Sequence, residues 1–393
     1  NYNIKNKKIL FRADLNVPLI DGVITDTSRI QAIKSSIEIL ISNKNKIFLM
    51  AHFGRPKGEI VEKYSLNFIL PSLKETLNLD KVYFLDNFDQ DSVEKTVNEM
   101  QAGNLCLIEN IRFLKEEENI DLNFAKKISS LFDVYVNDAF SASHRNHTSI
   151  IGFPKFLPAV AGNHMIKEID NINSFLDNAK KPNMAIVGGS KISTKIQLLN
   201  NLIEQFSVVV IGGAMANTFL LANNYNVGKS LVEKNLIQEA NNIQLKAKKL
   251  NCELILPIDV LCGKNTHDTN PVNRNIHELS PEEMILDIGE KSTEFINNKI
   301  INSKMVLWNG PVGAFEYKPY DKATNAIANV LKVNAKKLNI ITLAGGGDTV
   351  SAIKNTNAED GFNYISNAGG AFLEWLEGKE SPGVKSLKEN SLT

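Results

Sequence analysis

The sequence predicts an α/β protein of two doubly wound parallel-sheet (Rossmann-like) domains, joined by a connecting helix and hinge. Three observations lead to this prediction. Short apolar runs, many rich in β-branched residues, recur along the 393 residues and end in glycine or polar residues. Stretches in which apolar residues have helical spacing lie between these runs. The alternation occurs as two successive series, and alternating strands and helices are typical of βαβ units in buried parallel sheets.

Each series contains five predicted strands. In the first half the strands are Lys8–Arg12, Ile47–Ala51, Val82–Leu85, Leu105–Glu109 and Val134–Asn137. In the second half they are Met184–Val187, Val208–Ile211, Leu254–Pro257, Met305–Trp308 and Ile340–Leu343. The predicted helices between them include Ser28–Ser42, Leu122–Leu131, Lys195–Gln205, Leu231–Lys249 and Lys322–Lys332. In such sheets ligands bind at the carboxyl ends of the strands.

The stretch from His164 to Lys180 separates the two series. Its apolar residues have roughly helical spacing, and Pro182 follows it. Because the residue before a proline is driven away from the helical conformation, we expect a helix that stops there and forms a stiff connector.

Composition excludes several classes of function. The formal net charge is +0, so no overall field attracts nucleic acid or an acidic membrane, and any anion site must be local. No apolar run is long enough for a transmembrane helix. The three scattered cysteines predict buried thiols in a reducing compartment rather than a disulfide framework. We expect a cytoplasmic monomer that binds neither nucleic acid nor membrane.

Arginine and glycine are unevenly distributed. Only six of the 44 basic residues are Arg, and five of these precede residue 150. Where Lys is the usual base, Arg is a candidate for bidentate recognition of phosphate or carboxylate. Of the 23 glycines, 17 follow residue 180, many in clusters. The first half therefore suits a small anion held by side chains, and the second suits a nucleotide held by the backbone.

The loops after the first-half strands predict a basic pocket. They carry the segments Asp14-Leu15-Asn16, His52-Phe53-Gly54-Arg55, Arg112 and His144-Arg145, and Arg29 lies at the start of the first helix. In a doubly wound domain these loops share one edge of the sheet, where their cations suit a phosphate with a carboxylate. Arg12 lies inside a strand, and we expect it to pair structurally with a buried acid.

Glycine-rich loops after second-half strands predict phosphate binding. The loop Gly345-Gly346-Gly347-Asp348-Thr349 leads from a strand into a helix, whose N-terminus can bind phosphate while Asp348 holds Mg²⁺. Gly188-Gly189 precedes Lys191 and Lys195, which are four residues apart and hence expected on one helix face. Asn309 lies in the segment that ends another strand, and Glu316 beyond it could bind a ribose hydroxyl.

Two nucleotide motifs are absent. Gly228-Lys229-Ser230 imitates the end of a Walker A motif, but position 223 is Asn and no apolar strand precedes it. No GxGxxG pattern occurs, since Val350 stands where the last glycine would be. A nucleotide-dependent dehydrogenase is therefore a disfavoured alternative.

Thirteen segments together resemble the phosphoglycerate kinase family along essentially the whole chain, in the family's order. They are FRADLNVP, DTSRI, HFGRPKG, IENIRF, VNDAF, SHRNH, GGSKISTKI, GGAMANTF, GKSLVE, LDIG, WNGPVGAFE, AGGGDT and EGKESPGV. Among the departures from the common pattern, Thr194 stands where many members have Asp, and Ser141 where many have Gly.

The resemblance implies two sets of site residues. The set for 3-phosphoglycerate is Asp14, Leu15, Asn16, Arg29, His52, Phe53, Gly54, Arg55, Arg112 and Arg145. The set for the nucleotide is Lys191, Lys195, Gly213, Asn309, Glu316, Gly345, Gly346, Gly347, Asp348 and Thr349, with Asp348 binding the metal. Residues 1–163 would then bind phosphoglycerate, 164–181 connect, 182–364 bind nucleotide, and 365–393 return toward the first domain.

The implied reaction is reversible, Mg²⁺-dependent phosphoryl transfer between 1,3-bisphosphoglycerate and ADP, which gives 3-phosphoglycerate and ATP. The reacting group of the acid is a carboxylate, so no catalytic base is required, and catalysis consists of positioning and charge neutralisation by Arg29 and Lys191. We expect the two domains to close for transfer. A catalytically inactive nucleotide-binding protein is the other alternative, although it predicts loss of Arg29, Lys191 or Asp348, and all three are present.

Overall fold

The computed structural model describes residues 4–391, which fall into two compact units. One unit comprises the described residues up to Asp170 together with those from Glu380 onward, and the other is Asn171–Lys379. Each unit is built on a parallel sheet with helices, which confirms the predicted fold class. Within the described residues, no helix combines the length and the hydrophobicity that crossing a bilayer demands.

The first unit contains a six-stranded parallel sheet and a small hairpin. The strands are β1 (Lys8–Arg12), β2 (Leu19–Ile20), β3 (Val23–Ile24), β4 (Lys46–Met50), β5 (Val82–Leu85), β6 (Leu105–Ile108), β7 (Val134–Asn137) and β8 (Ala159–Ala161). The sheet order is β5-β6-β4-β1-β7-β8, and β2 pairs with β3 as the hairpin. The direction of strand order therefore reverses between β1 and β7, where doubly wound sheets bind ligands.

The helices of the first unit cover the sheet with apolar faces. They are α1 (Ser28–Ser42), α2 (Leu70–Leu77), α3 (Gln90–Glu99), α4 (Lys115–Glu118), α5 (Leu122–Ser129) and α6 (Asn163–Asp177), whose last residues enter the second unit. In α1, the buried residues Ile30, Ile33, Ile37 and Leu40 recur every three or four positions and join the core of the sheet. The predicted connector is thus helical, but it ends three residues before Lys180.

The second unit has strand order β11-β10-β9-β15-β16-β17 in its main sheet. The strands are β9 (Asn183–Val187), β10 (Val208–Ile211), β11 (Glu253–Ile255), β12 (Asp259–Gly263), β13 (Val272–Asn275), β14 (Met284–Ile288), β15 (Met305–Asn309), β16 (Ile341–Gly345) and β17 (Tyr364–Ser366). Here the order reverses between β9 and β15. The remaining strands β12, β13 and β14 form an antiparallel sheet that we had not predicted.

The helices of this unit are α7 (Ile196–Gln205), α8 (Ala214–Ala222), α9 (Ile237–Lys249), α10 (Glu290–Ile301), α11 (Lys322–Leu338), α12 (Gly347–Asn355) and α13 (Gly370–Leu376). The last helix, α14 (Pro382–Glu389), belongs to the first unit. The prediction of a helix from Leu231 was wrong, because α9 begins at Ile237. Glu233 instead accepts hydrogen bonds from Ser193, and its own N–H donates to Thr218 Oγ1 at 3.1 Å.

Candidate active site

At the end of β1, Asp14 joins three groups. Its Oδ1 accepts the backbone N–H of Asn16 at 3.0 Å. Its Oδ2 forms an ion pair with Arg29, from the first turn of α1, and accepts a hydrogen bond from Ser141, in the loop after β7. Leu15 is fully buried in the core, so only its backbone is available to a ligand. Asp14 therefore ties together the two loops that flank the switch point of the first sheet.

The segment after β4 is held by side-chain amides. Asn110 accepts from the Phe53 N–H at 3.2 Å and donates to the Phe53 carbonyl at 2.7 Å. Asn16 Oδ1 accepts the Gly54 N–H at 3.0 Å. Gly54 has φ +61°, and a Cβ there would overlap the ring of Tyr64, so the turn requires glycine. Phe53 packs in an aromatic group with Phe68 and Tyr64.

Arg112 lies nearly buried beside this turn with unused donors. Its Nη1 donates to the Gly54 carbonyl at 2.7 Å, and Glu118 lies 3.8 Å from Nε. Both Nε and Nη2 are buried without a hydrogen-bond partner among the described residues. A buried donor that lacks an acceptor is costly, so this guanidinium is suited to an anion that enters the site.

Cations crowd this region and disfavour one another's charged forms. Burial lowers the pKa of Arg112 to about 10, and the charges of Arg145 and Arg12 add to the effect. Burial likewise lowers the pKa of Arg29. The pKa of His144 is lowered by burial and then by Arg145. Arg55, which we predicted as a further member of the pocket, lies exposed on the surface. The structure thus brings Arg29, Arg112, Arg145 and His52 together at the carboxyl ends of the strands, and we call these four residues the basic cluster.

Some residues around this basic cluster were not predicted. Ser141 and Asn110 hold the loops in place through the contacts described above. Arg12 was expected to pair structurally with a buried acid; its direct partners are Ser149, Ala13 and His52, and Ser149 links it to the buried Glu117. The position of Arg12 at the end of a strand was a usable signal, because such ends face the ligand edge of the sheet.

In the second unit, glycines let three loops approach closely at the switch point. A Cβ on Gly188, after β9, would overlap the carbonyl oxygen of Pro311. Gly213 precedes α8 with φ +67°, and a Cβ there would lie 2.6 Å from the Gly189 carbonyl oxygen. These contacts place the backbones after β9, β10 and β15 side by side. Backbone N–H groups in such loops can bind phosphate oxygens.

The loop from Gly345 to Thr349 joins β16 to α12 as predicted. Gly346 has φ +100°, and α12 begins at Gly347. Asn309 donates to the Gly345 carbonyl at 2.7 Å, and Thr349 Oγ1 accepts the Gly310 N–H at 2.7 Å. The helix N-terminus is thereby fixed against the end of β15, with Asp348 exposed in its first turn.

Lys195 and Lys191 do not share a helix face, contrary to the prediction. Lys195 precedes the first residue of α7 with φ −127°, outside the helical range, and Lys191 lies exposed in the loop before it. Lys195 donates to Asn309 Oδ1. Burial lowers the pKa of Lys195 to about 8, although Glu377 and Asp348 favour its charged form. Glu233 binds the N–H and hydroxyl of Ser193 and so steadies the loop that carries Lys191.

A cavity of about 490 Å³ adjoins these loops. Its lining includes Gly213, Glu316 and Asp348 at predicted positions. The rest of its wall is largely apolar and includes Leu231, Pro257, Met284, Ile285, Leu286, Pro311 and Val312. The volume and the mixture of an apolar wall with a few polar groups are typical of small-molecule sites. The strand β14 in this wall was not predicted, although its apolar run Met284–Leu286 could have indicated it.

The residues around Asp348 fit a magnesium site that is completed by a ligand. Among residues 4–391, no three His, Cys, Asp or Glu side chains are grouped so that they could hold a metal. Mg²⁺ is commonly bound by one or two carboxylates plus substrate phosphates and water, so a single exposed carboxylate at a phosphate loop is an adequate protein ligand.

Comparison with known proteins identifies the family. Residues 1–379 match the family described as "Phosphoglycerate kinase". The phosphoglycerate kinase of Rhizobium meliloti (strain 1021) is 43% identical over 392 residues, which cover 99% of this chain and 98% of the relative. The enzyme of Sinorhizobium fredii (strain NBRC 101917 / NGR234) is 44% identical over 386 residues, which cover 98% of this chain and 96% of the relative.

Solved structures agree with these sequence matches. Phosphoglycerate kinase from Coxiella burnetii has a TM-score of 0.88 at 34% identity, covering 100% of this chain and 98% of that one. The enzyme from Pyrococcus horikoshii OT3 has a TM-score of 0.81 at 25% identity, covering 99% and 98%. By sequence and by fold, the chain belongs to the phosphoglycerate kinase family.

Proposed function

We propose that the basic cluster of the first unit binds 3-phosphoglycerate or 1,3-bisphosphoglycerate, and that the cavity and glycine loops of the second bind ADP or ATP with Mg²⁺. As a member of its family the chain is a kinase, hence a transferase, whose substrates are phosphoglycerate and nucleotide. The reaction exchanges a phosphoryl group between the acyl phosphate of 1,3-bisphosphoglycerate and ADP. Our proposal goes further and assigns the residues that bind each substrate.

The state of Arg112 is the observation that carries the assignment of the acid. Two of its buried N–H groups lack an acceptor among the described residues, while Arg145 and Arg12 oppose its charge. A phosphate or carboxylate would supply the acceptors and neutralise the repulsion. Arg29, His52 and Arg145 belong to the same cluster. Asp14 would orient Arg29, while Asn16, Phe53 and Gly54 shape the loops, and Arg55 is available from the exposed rim.

The nucleotide assignment rests on the loops that end β9, β10, β15 and β16. The backbone of Gly345–Thr349 and the N-terminus of α12 would bind phosphates, together with Lys195 and Gly213. The apolar wall of the cavity suits a base, and Glu316 at its lining suits a ribose hydroxyl. Asp348 would hold Mg²⁺, which neutralises phosphate charge when bound. Asn309 would hold Lys195 and the Gly345 carbonyl in place through its hydrogen bonds to both.

In the proposed mechanism the protein positions and neutralises rather than reacting covalently. The attacking or leaving oxygen of the acid belongs to a carboxylate, which carries no proton near neutral pH, so no general base is needed. Arg29 and Lys191 would stabilise negative charge on the transferring group. Glu233 contributes by holding the loop of Lys191. We also propose that the enzyme is a monomer and acts in the cytoplasm, a reducing compartment with which its three free, buried cysteines are in keeping.

A coupled assay of ATP formation from 1,3-bisphosphoglycerate and ADP tests this proposal. We expect turnover that requires Mg²⁺ and both substrates. An inactive nucleotide-binding protein would bind ADP without producing ATP, and that result would refute the proposed function. For the site, Arg112→Lys should raise the KM for phosphoglycerate and leave the KM for nucleotide unchanged. Arg274→Lys is the matched control, because Arg274 pairs with Glu283 in the other unit.

A further inference from the structure

A buried chain of hydrogen bonds leads from Glu117 to His52. Glu117 Oε1 accepts the hydroxyl of Ser149 at 2.6 Å, and Oε2 accepts the Ser149 N–H at 2.8 Å. Ser149 Oγ accepts from Arg12 Nε at 2.9 Å. Arg12 Nη2 lies 3.1 Å from His52 Nδ1. Arg12 and Glu117 are each only 1% exposed, so bulk solvent does not compete for these partners.

The chemistry of the donors fixes the direction of every bond in this chain. An ionised carboxylate only accepts, so the single hydroxyl proton of Ser149 is directed to Glu117, and the oxygen can accept from Arg12. A guanidinium only donates, so His52 Nδ1 must accept from Arg12. The ring proton of His52 therefore resides on Nε2. A doubly protonated ring would direct an N–H at the Arg12 donor.

The surroundings of His52 also disfavour its protonation. Its pKa is held well below the ordinary value by burial and then by the charges of Arg12, Arg112, Arg145 and Arg29. These cations come from β1, α1 and the loops after β6 and β7. In the described part of the chain, the bond to Arg12 is the one hydrogen bond that His52 makes. Its Nε2–H is thus left as a donor for a ligand.

We propose that Arg12 is a positioning residue, which holds His52 as a neutral Nε2–H donor to an oxygen of phosphoglycerate. Glu117 and Ser149 hold Arg12 in turn. This inference rests on the proposed function of the basic cluster. It assigns His52 a hydrogen bond of fixed direction rather than a positive charge, and its contribution to binding does not depend on protonation of the ring near neutral pH.

The ring nitrogens of His52 can be read by ¹⁵N NMR of the full ligand-free chain. The chain has six His, and the His52 signals are assigned by their loss in His52→Gln. We expect a protonated Nε2 and a bare Nδ1, unchanged between about pH 5 and 8, the range in which an ordinary histidine titrates. Addition of 3-phosphoglycerate should shift the Nε2 signal. A proton on Nδ1, or an ordinary titration, would overturn the inference.

Two substitutions at His52 show by their KM values which ring nitrogen donates to the ligand. The amide nitrogen of Gln falls near the position of Nε2, whereas that of Asn falls near Nδ1 and faces Arg12. His52→Asn should therefore raise the KM for phosphoglycerate about tenfold more than His52→Gln does, the size of one hydrogen bond to a charged group. Equal KM values would contradict the assigned donor.

Arg12→Lys tests the positioning residue itself. An ammonium cannot bond Ser149, Ala13 and His52 in the fixed geometry of the fork, so we expect both ring tautomers in the spectrum and a KM for phosphoglycerate raised about tenfold. The KM for nucleotide should not change, and Arg274→Lys serves as the control. If Arg12→Lys fails to fold, the wild-type spectrum and the comparison of His52→Gln with His52→Asn still test the inference. The spectrum is taken without ligand, so a proton on Nδ1 or an ordinary titration of His52 overturns this inference alone. An unchanged KM for phosphoglycerate in Arg112→Lys overturns the proposed site.

Discussion

At the scale of single residues, Arg29 and Arg112 differ in how much freedom the fold leaves them. Arg112 is buried and anchored to the Gly54 carbonyl, as expected of a group that holds a bound anion in place. Arg29 retains 28% side-chain exposure, and its ion-pair partner Asp14 also has bonds from Ser141 and Asn16. Asp14 would therefore stay hydrogen-bonded if Arg29 turned to the transferring phosphoryl group.

Arg29→Lys should consequently cut turnover far more than it weakens phosphoglycerate binding. A guanidinium spans two oxygens of a spread charge, whereas an ammonium is a compact point. Because Lys keeps the charge, we expect a loss of about 10²–10³ in kcat, below or at the low end of the effect of removing such an arginine. Steady-state kinetics check this, with Arg112→Lys expected to act mainly on KM. The same kinetic signature in both variants would show that Arg29 is only another anion holder.

Lys195 should give the proposed nucleotide site a pH dependence. With its pKa lowered to about 8, Lys195 should take up roughly half a proton when ADP binds at pH 8, because phosphates favour the ammonium. Calorimetry in two buffers of different ionisation enthalpy measures this uptake, and ADP affinity should weaken above pH 8. In Lys195→Arg the uptake should vanish, since arginine stays charged. An uptake that persisted in this variant would assign the proton to another group.

The same shift affects stability in a defined direction. The folded-state pKa lies below the ordinary value, so between about pH 8 and the ordinary pKa of 10.5 the unfolded chain binds the proton that the folded chain has lost. The contribution of Lys195 to the free energy of unfolding therefore rises with pH across this window. At lower pH the buried charge of Lys195 destabilises the folded state.

Asp348→Asn should weaken binding of the Mg²⁺–nucleotide complex more than binding of free nucleotide. The carboxylate is proposed to touch the metal, and a neutral amide is a poorer ligand for a hard cation. Titration of ADP with and without Mg²⁺ measures both affinities. An equal loss under the two conditions would mean that Asp348 acts on the phosphates or the fold rather than on the metal.

At the scale of elements, the close approach of loops after β9 and β15 depends on glycine. Gly188→Ala should destabilise the second unit by roughly 1–3 kcal/mol, because the new methyl group meets the rigid backbone of Pro311. Gly347→Ala is the matched control: no atom lies within 4 Å of its added Cβ, and we expect a change within about 0.5 kcal/mol. Urea denaturation compares the two. Similar midpoints would indicate that the loops separate at little cost.

The elements also show where the sequence was informative. Strands such as β10, with four successive β-branched residues, were predicted because a buried parallel strand is apolar on both faces. Strands β8 and β17 have three residues each, too few for a pattern. The strand β13 reads Val-Asn-Arg-Asn and exists through pairing with β12, which no local signal indicates. Lys191 and Lys195 were misplaced because spacing alone does not locate the start of a helix.

At the scale of the whole molecule, the alternation of apolar runs with helical stretches predicted the correct fold class, and the thirteen segments predicted the correct family. The loops that carry the predicted residues do lie at the strand ends, since topology fixes that edge. The hydrogen bonds from Ser141 to Asp14 and from Arg12 to His52 could not be predicted, because they join segments over a hundred and about forty residues apart. The binding roles of the individual residues stay predictions.

The two substrates should bind to separable parts of the chain. Arg112→Lys should weaken binding of 3-phosphoglycerate without changing ADP affinity, and Asp348→Asn should do the reverse, because Arg112 bonds Gly54 in the first unit whereas Asp348 lies in the first turn of α12 in the second. In the double variant, the loss of affinity for each substrate should equal the loss in the corresponding single variant. Calorimetric titration of each substrate alone supplies the measurement. A loss of ADP affinity in Arg112→Lys would be inconsistent with separate sites.

The crowded cations of the first unit have a consequence for the lifetime of the protein. Arg112 has two buried nitrogens without an acceptor among the described residues, and Arg145 and Arg12 disfavour its charge, so the proposed acid ligand would stabilise the folded first unit. A ligand at a hundred times its Kd stabilises a folded chain by about 2.7 kcal/mol. Bound phosphoglycerate should therefore slow proteolysis of the enzyme, because cleavage of transiently opened chains depends on how often they open.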